Sequence, residues 1–113
     1  MKLMSTDKPK PCYAPCYAAM YPELASIARE HGYALAVHGS MRRDFDLIAV
    51  PWTKEAADPL TVIDAFLAKF AIHLINREPS RKEHGRLAWT ITVGWGECAL
   101  DLSFIPRVEK ETR

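Results

Sequence analysis

The sequence has 113 residues, enough for one domain with its own core, since 49% of the residues are hydrophobic and 26% are charged. Its formal net charge is +1, so no overall positive field draws the chain to nucleic acid or to an anionic membrane, and any such contact would need a local basic cluster. No apolar run reaches the roughly 20 residues that span a bilayer, and the first residues contain no apolar segment typical of a secretory signal, so we expect a cytoplasmic protein without a membrane partner.

The first half of the chain predicts one main helix and two strands. Residues 1–11 are polar and predict a flexible arm, and "PCYAAM" after them predicts a short helical turn. The main helix is expected to begin at Pro22 and to end at Gly32, which suits a left-handed stop. "YALAVHGS" predicts a strand that ends at Gly39. "DFDLIAVPW" predicts a second strand that is apolar on both faces after Asp46, which is typical of a central strand covered on both sides.

The second half predicts another helix and two more strands. Asp58 and Pro59 form an N-cap and first-position pair for a helix expected to run to Leu74. Residues 76–86 are rich in arginine and lysine and predict a solvated loop; the alternative is a basic patch that contacts nucleic acid. "LAWTITVGWGECALDLSFIP" predicts two strands around a glycine-containing turn, and residues 107–113 predict a frayed tail. The order predicts a single α+β domain over residues 1–113, with helices packed on a small four-stranded mixed or antiparallel sheet.

Two aspartates one residue apart, Asp44 and Asp46, begin the second strand. Residues i and i+2 of a strand project to the same face, and neighbouring carboxylates repel each other unless a proton or a cation lies between them. Asp101 interrupts a later apolar strand. If that strand lies beside the first, the three carboxylates converge and can hold one or two Mg²⁺ ions at a phosphate group. The alternative is a solvated hairpin end, with Asp101 facing water on an edge strand.

The residues before the aspartate pair suit an anionic ligand. Gly39 lets a ligand approach the backbone closely, and Ser40 offers a hydroxyl and an N–H to phosphate oxygens. Arg42 and Arg43 can neutralise further negative charge. His38 can contact the same ligand, or it can be a packed or capping histidine.

"HGS" after a strand, "DFDL" at the start of the next and "LDLSF" on a later strand together resemble the nucleotidyltransferases of the DNA polymerase beta type, in particular minimal members from phages or prophages. The resemblance spans residues 22–106 by element order. It implies that Gly39 and Ser40 lie at the nucleotide phosphates and that Asp44, Asp46 and Asp101 are Mg²⁺ ligands. It also implies that Asp101 helps to activate the incoming hydroxyl.

The sequence departs from that family in the spacer between the Gly-Ser pair and the first aspartate. The family has a longer spacer with a short helix, whereas only Met41, Arg42 and Arg43 intervene here. Two hypotheses follow. The first is a Mg²⁺-dependent nucleotidyltransferase that moves a nucleoside monophosphate from a nucleoside triphosphate to an unknown hydroxyl acceptor. The alternative is a catalytically inactive adaptor of the same fold that binds a protein partner or forms a homo-oligomer.

Overall fold

The computed structural model describes residues 15–39, 41, 44–94 and 98–107. They form two helices, a six-stranded sheet and one short 3₁₀ turn, Glu83–Gly85. This confirms a mixed α+β fold, but the predicted count of four strands is wrong. The helices and strands are α1 (Pro15–Glu30), β1 (Tyr33–Val37), β2 (Asp44–Pro51), α2 (Pro59–Lys69), β3 (His73–Leu74), β4 (Ser80–Arg81), β5 (Leu87–Thr92) and β6 (Ala99–Phe104).

The sheet is mixed, and its only parallel pair within the described residues is β2 with β6. The strand order is β1-β2-β6-β5, and both β3 and β4 pair with the outer edge of β5. The register of the parallel pair places Asp46 directly opposite Asp101. Two strands predicted from separate stretches of sequence are therefore neighbours, and their aspartates share one level of the sheet.

The hydrophobic core lies on one face of the sheet. Phe45, Leu47 and Ala49 of β2 are buried in the same cluster as residues of both helices, whereas Ile48 is half-buried and Val50 is 40% exposed. The prediction that β2 is covered on both sides is therefore wrong. We call the opposite face, which carries Asp46, Thr90, Asp101 and Ser103, the open face.

Helix α1 begins earlier than the proline signal predicts. It starts at Pro15 and contains Pro22 within it. The first turns are stabilised by tertiary packing: the ring of Tyr17 is fully buried and stacks on Phe45 with a centroid distance of 4.8 Å. The Tyr17 hydroxyl also accepts a hydrogen bond of 3.0 Å from the backbone N–H of Ala99 on β6.

Helix α2 begins as predicted and ends early. The side chain of Asp58 accepts a hydrogen bond of 3.0 Å from the N–H of Leu60, and Pro59 is the first helical residue. The helix ends at Lys69 rather than at Leu74, because Leu74 belongs to β3 and pairs with Ile91 of β5. Neither described helix combines the length and the apolar character needed to cross a bilayer.

The predicted arm, residues 1–11, lies outside the described residues, and so does the predicted tail apart from Arg107.

Candidate carboxylate and phosphate site

Asp46 and Asp101 form a carboxyl pair on the open face. Their backbones are aligned in the parallel register, so their side chains project side by side, and each carboxyl group affects the pKa of the other. Burial raises the pKa of both groups, and the nearby negative charge, from Asp44 on Asp46 and from Asp46 on Asp101, raises each further. The pair therefore favours either a shared proton or a cation between the two carboxyl groups.

Asp44 lies on β2, the strand of Asp46, and is half-buried. Its charge acts on Asp46, two residues further along the strand. In the part of the chain that the structure describes, no group of three His, Cys, Asp or Glu side chains is close enough to hold one metal ion. The arrangement is thus an aligned pair with a third carboxylate nearby, and a metal held by all three stays a prediction.

Gly39 lies against the carboxyl group of Asp46. A Cβ atom at residue 39 would lie 2.6 Å from Oδ2 of Asp46, and the residue has a φ of +146°. Next to it, the backbone N–H of His38 donates a hydrogen bond of 2.9 Å to the carbonyl of Asp46. Only glycine allows this close approach, because a side chain would collide with the carboxylate.

Three residues predicted to bind phosphate, Ser40, Arg42 and Arg43, lie outside the described residues. Met41, between them, has a φ of +61°, an uncommon conformation for a residue with a side chain.

The carboxyl pair lines a cleft of about 290 Å³ that also contains positive groups. Lys82, Arg86 and His38 line the same cleft as Asp46 and Asp101. His38 lowers the pKa of Asp46 and Lys82 lowers the pKa of Asp101, in each case against the larger effect of burial. Acidic and basic groups therefore share one small space.

Arg86 is held in place by a polar contact across the sheet. Its Nη1 donates a hydrogen bond of 3.1 Å to Oγ of Ser103, which is only 8% exposed. The prediction of a fully solvated loop over residues 76–86 is therefore wrong at Arg86. The sequence around Arg86 does not indicate that its side chain is held against the sheet. Its position depends on the pairing of β4 with β5, which brings the loop back onto the sheet. His84, in contrast, is a turn residue with a φ of +63°.

The pair suits a hard divalent cation by its chemistry. Mg²⁺ prefers oxygen ligands and keeps waters or phosphate oxygens in its remaining positions, so two carboxylates are a sufficient protein contribution. Thr90 Oγ1 lies 3.3 Å from Oδ1 of Asp101, where it can orient that ligand. Asp46 and Asp101 would hold the ion, with Asp44 as the nearby third carboxylate.

Comparison of the chain with protein-family models, with curated proteins and with solved structures gave no significant match.

Proposed function

We propose that the protein is a minimal Mg²⁺-dependent nucleotidyltransferase of the phage or prophage type, acting in the cytoplasm. One observation carries the proposal: Asp46 and Asp101 are paired on adjacent parallel strands, in a cleft that they share with Lys82 and Arg86. Carboxylates for a metal opposite cations for phosphate oxygens are the groups that phosphoryl transfer needs.

Each of these residues would have a distinct role in the reaction. Asp46 and Asp101 hold Mg²⁺, which neutralises charge on the phosphates when it is bound. Lys82 and Arg86 bind phosphate oxygens, and the missing side chain at Gly39 leaves room for the carboxyl group of Asp46. Asp101 accepts the proton of the acceptor hydroxyl. The hydroxyl oxygen then bonds to the α-phosphorus, and the bond from that phosphorus to the departing pyrophosphate breaks.

Calorimetry with a non-hydrolysable nucleoside triphosphate tests the proposal. We expect binding that requires Mg²⁺ and is abolished in Asp46→Asn and Asp101→Asn, and we expect Asp44→Asn to weaken it. Asp64→Asn is the matched control, because Asp64 is an exposed carboxylate of α2 that pairs with Arg77 away from the cleft. Equal binding by the wild-type chain and the Asp46 and Asp101 variants would refute the proposal.

The alternative, an inactive adaptor, is supported by exposed apolar residues at the end of β2. Trp52 is 61% exposed and Val50 is 40% exposed. Trp52 also lines a shallow cleft of about 220 Å³ between α1 and β1. The adaptor hypothesis predicts no thermal shift with Mg-ATP or Mg-CTP, and a dimer or complex in light scattering that Trp52→Ser disrupts.

A further inference from the structure

A second cleft lies at the other end of the parallel strand pair. It has a volume of about 590 Å³ and is lined by Lys54 after β2, Arg81 on β4 and Arg107 after β6. It shares no lining residue with the carboxyl-pair cleft. Strand alternation explains this separation, because Ser80 and Lys82 face the carboxyl-pair cleft while Arg81 between them faces this one. We call it the basic cleft.

The basic cleft has an excess of positive charge. Its three charged lining residues are all cations, and among the described residues no carboxylate forms an ion pair with Lys54 or Arg81. Three cations from three separate segments repel one another, so an anion placed between them gains attraction from each.

Arg107 is already oriented toward the cleft wall. Its guanidinium donates a hydrogen bond of 3.4 Å to the carbonyl of Ala56, and it lies 3.9 Å from Oδ2 of Asp58. These contacts reduce the conformational entropy that a ligand would otherwise have to remove. The carboxylate of Asp58 also offsets part of the positive charge of Arg107. Lys54 and Arg81 are therefore the stronger contributors to anion binding.

The uncharged residues that line the basic cleft carry no polar side chain. Leu87, Phe104 and Pro106 line it, and Gly85 approaches Pro106 so closely that a Cβ at residue 85 would lie 3.0 Å from Cγ of that proline. Such walls suit the carbon skeleton of a ligand whose anionic end reaches the cations. A concave cleft of this size also favours a small molecule over an extended polymer.

We propose that the basic cleft is a separate site for a small organic phosphate monoester. Its phosphate binds Lys54 and Arg81, with Arg107 as a fixed third donor, and its carbon part contacts the apolar wall. The site needs no metal and does not depend on the proposed transferase activity.

NMR titration of the ¹⁵N-labelled full chain with phenyl phosphate, in buffer containing EDTA, tests this proposal. We expect saturable shifts of the backbone amides of Gly85, Leu87 and Phe104, and weaker binding of inorganic phosphate to the same amides. Lys54→Gln and Arg81→Gln should each weaken binding about fivefold, as expected for loss of one exposed charge contact. Arg77→Gln removes an exposed cation that lines neither cleft, so it is the control and should bind like the wild type.

Three results would overturn the assignment. Unchanged affinity in both Lys54→Gln and Arg81→Gln is the first, and shifts confined to the surroundings of Lys82 and Arg86 are the second. The third is a single-stranded oligonucleotide that shifts the same amides at far lower concentration than phenyl phosphate, which would assign the cleft to nucleic acid. Asp101→Asn should retain phenyl phosphate binding. Failure of the transferase proposal can therefore be distinguished from failure of the phosphate-site proposal.

Discussion

Gly39 lies against the side chain of Asp46, so that a Cβ on residue 39 would lie 2.6 Å from Oδ2 and 3.1 Å from Cβ of the aspartate. We expect Gly39→Ala to lower the free energy of unfolding by about 2–3 kcal/mol, since it combines a collision with backbone strain. Gly94→Ala is the matched control, because that φ is +99° and no atom of the described residues lies within 4 Å of the added Cβ. Gly94→Ala should lower the free energy of unfolding, measured by urea denaturation, by about 1 kcal/mol.

Equal losses in the two glycine variants would show that the carboxylate of Asp46 does not exclude a side chain at residue 39. Adding Asp46→Ala to Gly39→Ala removes the closest atom and should recover part of the lost stability. A double-mutant cycle measures this recovery as a coupling energy.

Replacing one member of the carboxyl pair should stabilise the metal-free protein at neutral pH. In Asp101→Asn the amide can donate a hydrogen bond to Asp46 without adding charge, so we expect a gain of about 0.5–1 kcal/mol, a small figure because both groups are partly solvated and screened. Thermal melting in EDTA measures the gain. Asp64→Asn should give none, because it removes the exposed ion pair with Arg77 instead.

The stability of the wild-type protein should depend on pH in the direction opposite to that of most acidic groups. The folded-state pKa values of Asp46 and Asp101 are raised, so the folded state binds protons more tightly than the unfolded state does. The stability that the two groups contribute to the folded state is fully present below the unfolded pKa of about 3.9. It is lost as the pH rises through their raised folded-state pKa values. The metal-free stabilities of Asp101→Asn and the wild type, measured by urea denaturation, should therefore diverge as the pH rises. Parallel curves would contradict the raised pKa values.

Arg86 should contribute strongly to nucleotide binding if its cleft holds phosphate. We expect Arg86→Gln to weaken Mg²⁺-dependent triphosphate binding by roughly 10- to 100-fold, the range for a charge-assisted hydrogen bond. Ser103→Ala should have a smaller effect in the same calorimetric titration, because it only releases the guanidinium from its 3.1 Å contact. Arg77→Gln is the control, since Arg77 is exposed and lines neither cleft. If Arg86→Gln and Arg77→Gln change triphosphate binding equally, Arg86 does not bind the triphosphate.

Tyr17 should connect the first turns of α1 to β6. Tyr17→Phe keeps the ring stacked on Phe45 but leaves the N–H of Ala99 without the hydroxyl, so we expect a loss of about 1–2 kcal/mol on chemical denaturation. Tyr21→Phe is the comparison, because its hydroxyl donates to the carbonyl of Leu35 at a half-buried position that water can reach. A smaller loss for Tyr17→Phe than for Tyr21→Phe would contradict this role.

Part of the candidate site follows from sequence pattern, and part does not. Alternation along "DFDL" and "LDLSF" is enough to place Asp46 and Asp101 on the polar side of their strands, and Gly39 is identified by its position before them. The pairing of the two aspartates needs the parallel register of β2 and β6, which no local pattern specifies. The sequence predicts a solvated loop for Lys82 and Arg86, because a basic run has the same composition whether or not it folds back onto a sheet.

By itself the sequence determined the start of α2 at Asp58 and Pro59, the stop near Gly32 and the apolar alternation of β6. Those features depend on capping, on backbone conformation and on side-chain period, which act between residues close in the chain. Only the tertiary structure decided the early start of α1, the end of α2 before Leu74 and the alignment of Asp46 with Asp101. Each of these depends on partners distant in sequence, whose packing and hydrogen bonds outweigh the local preferences.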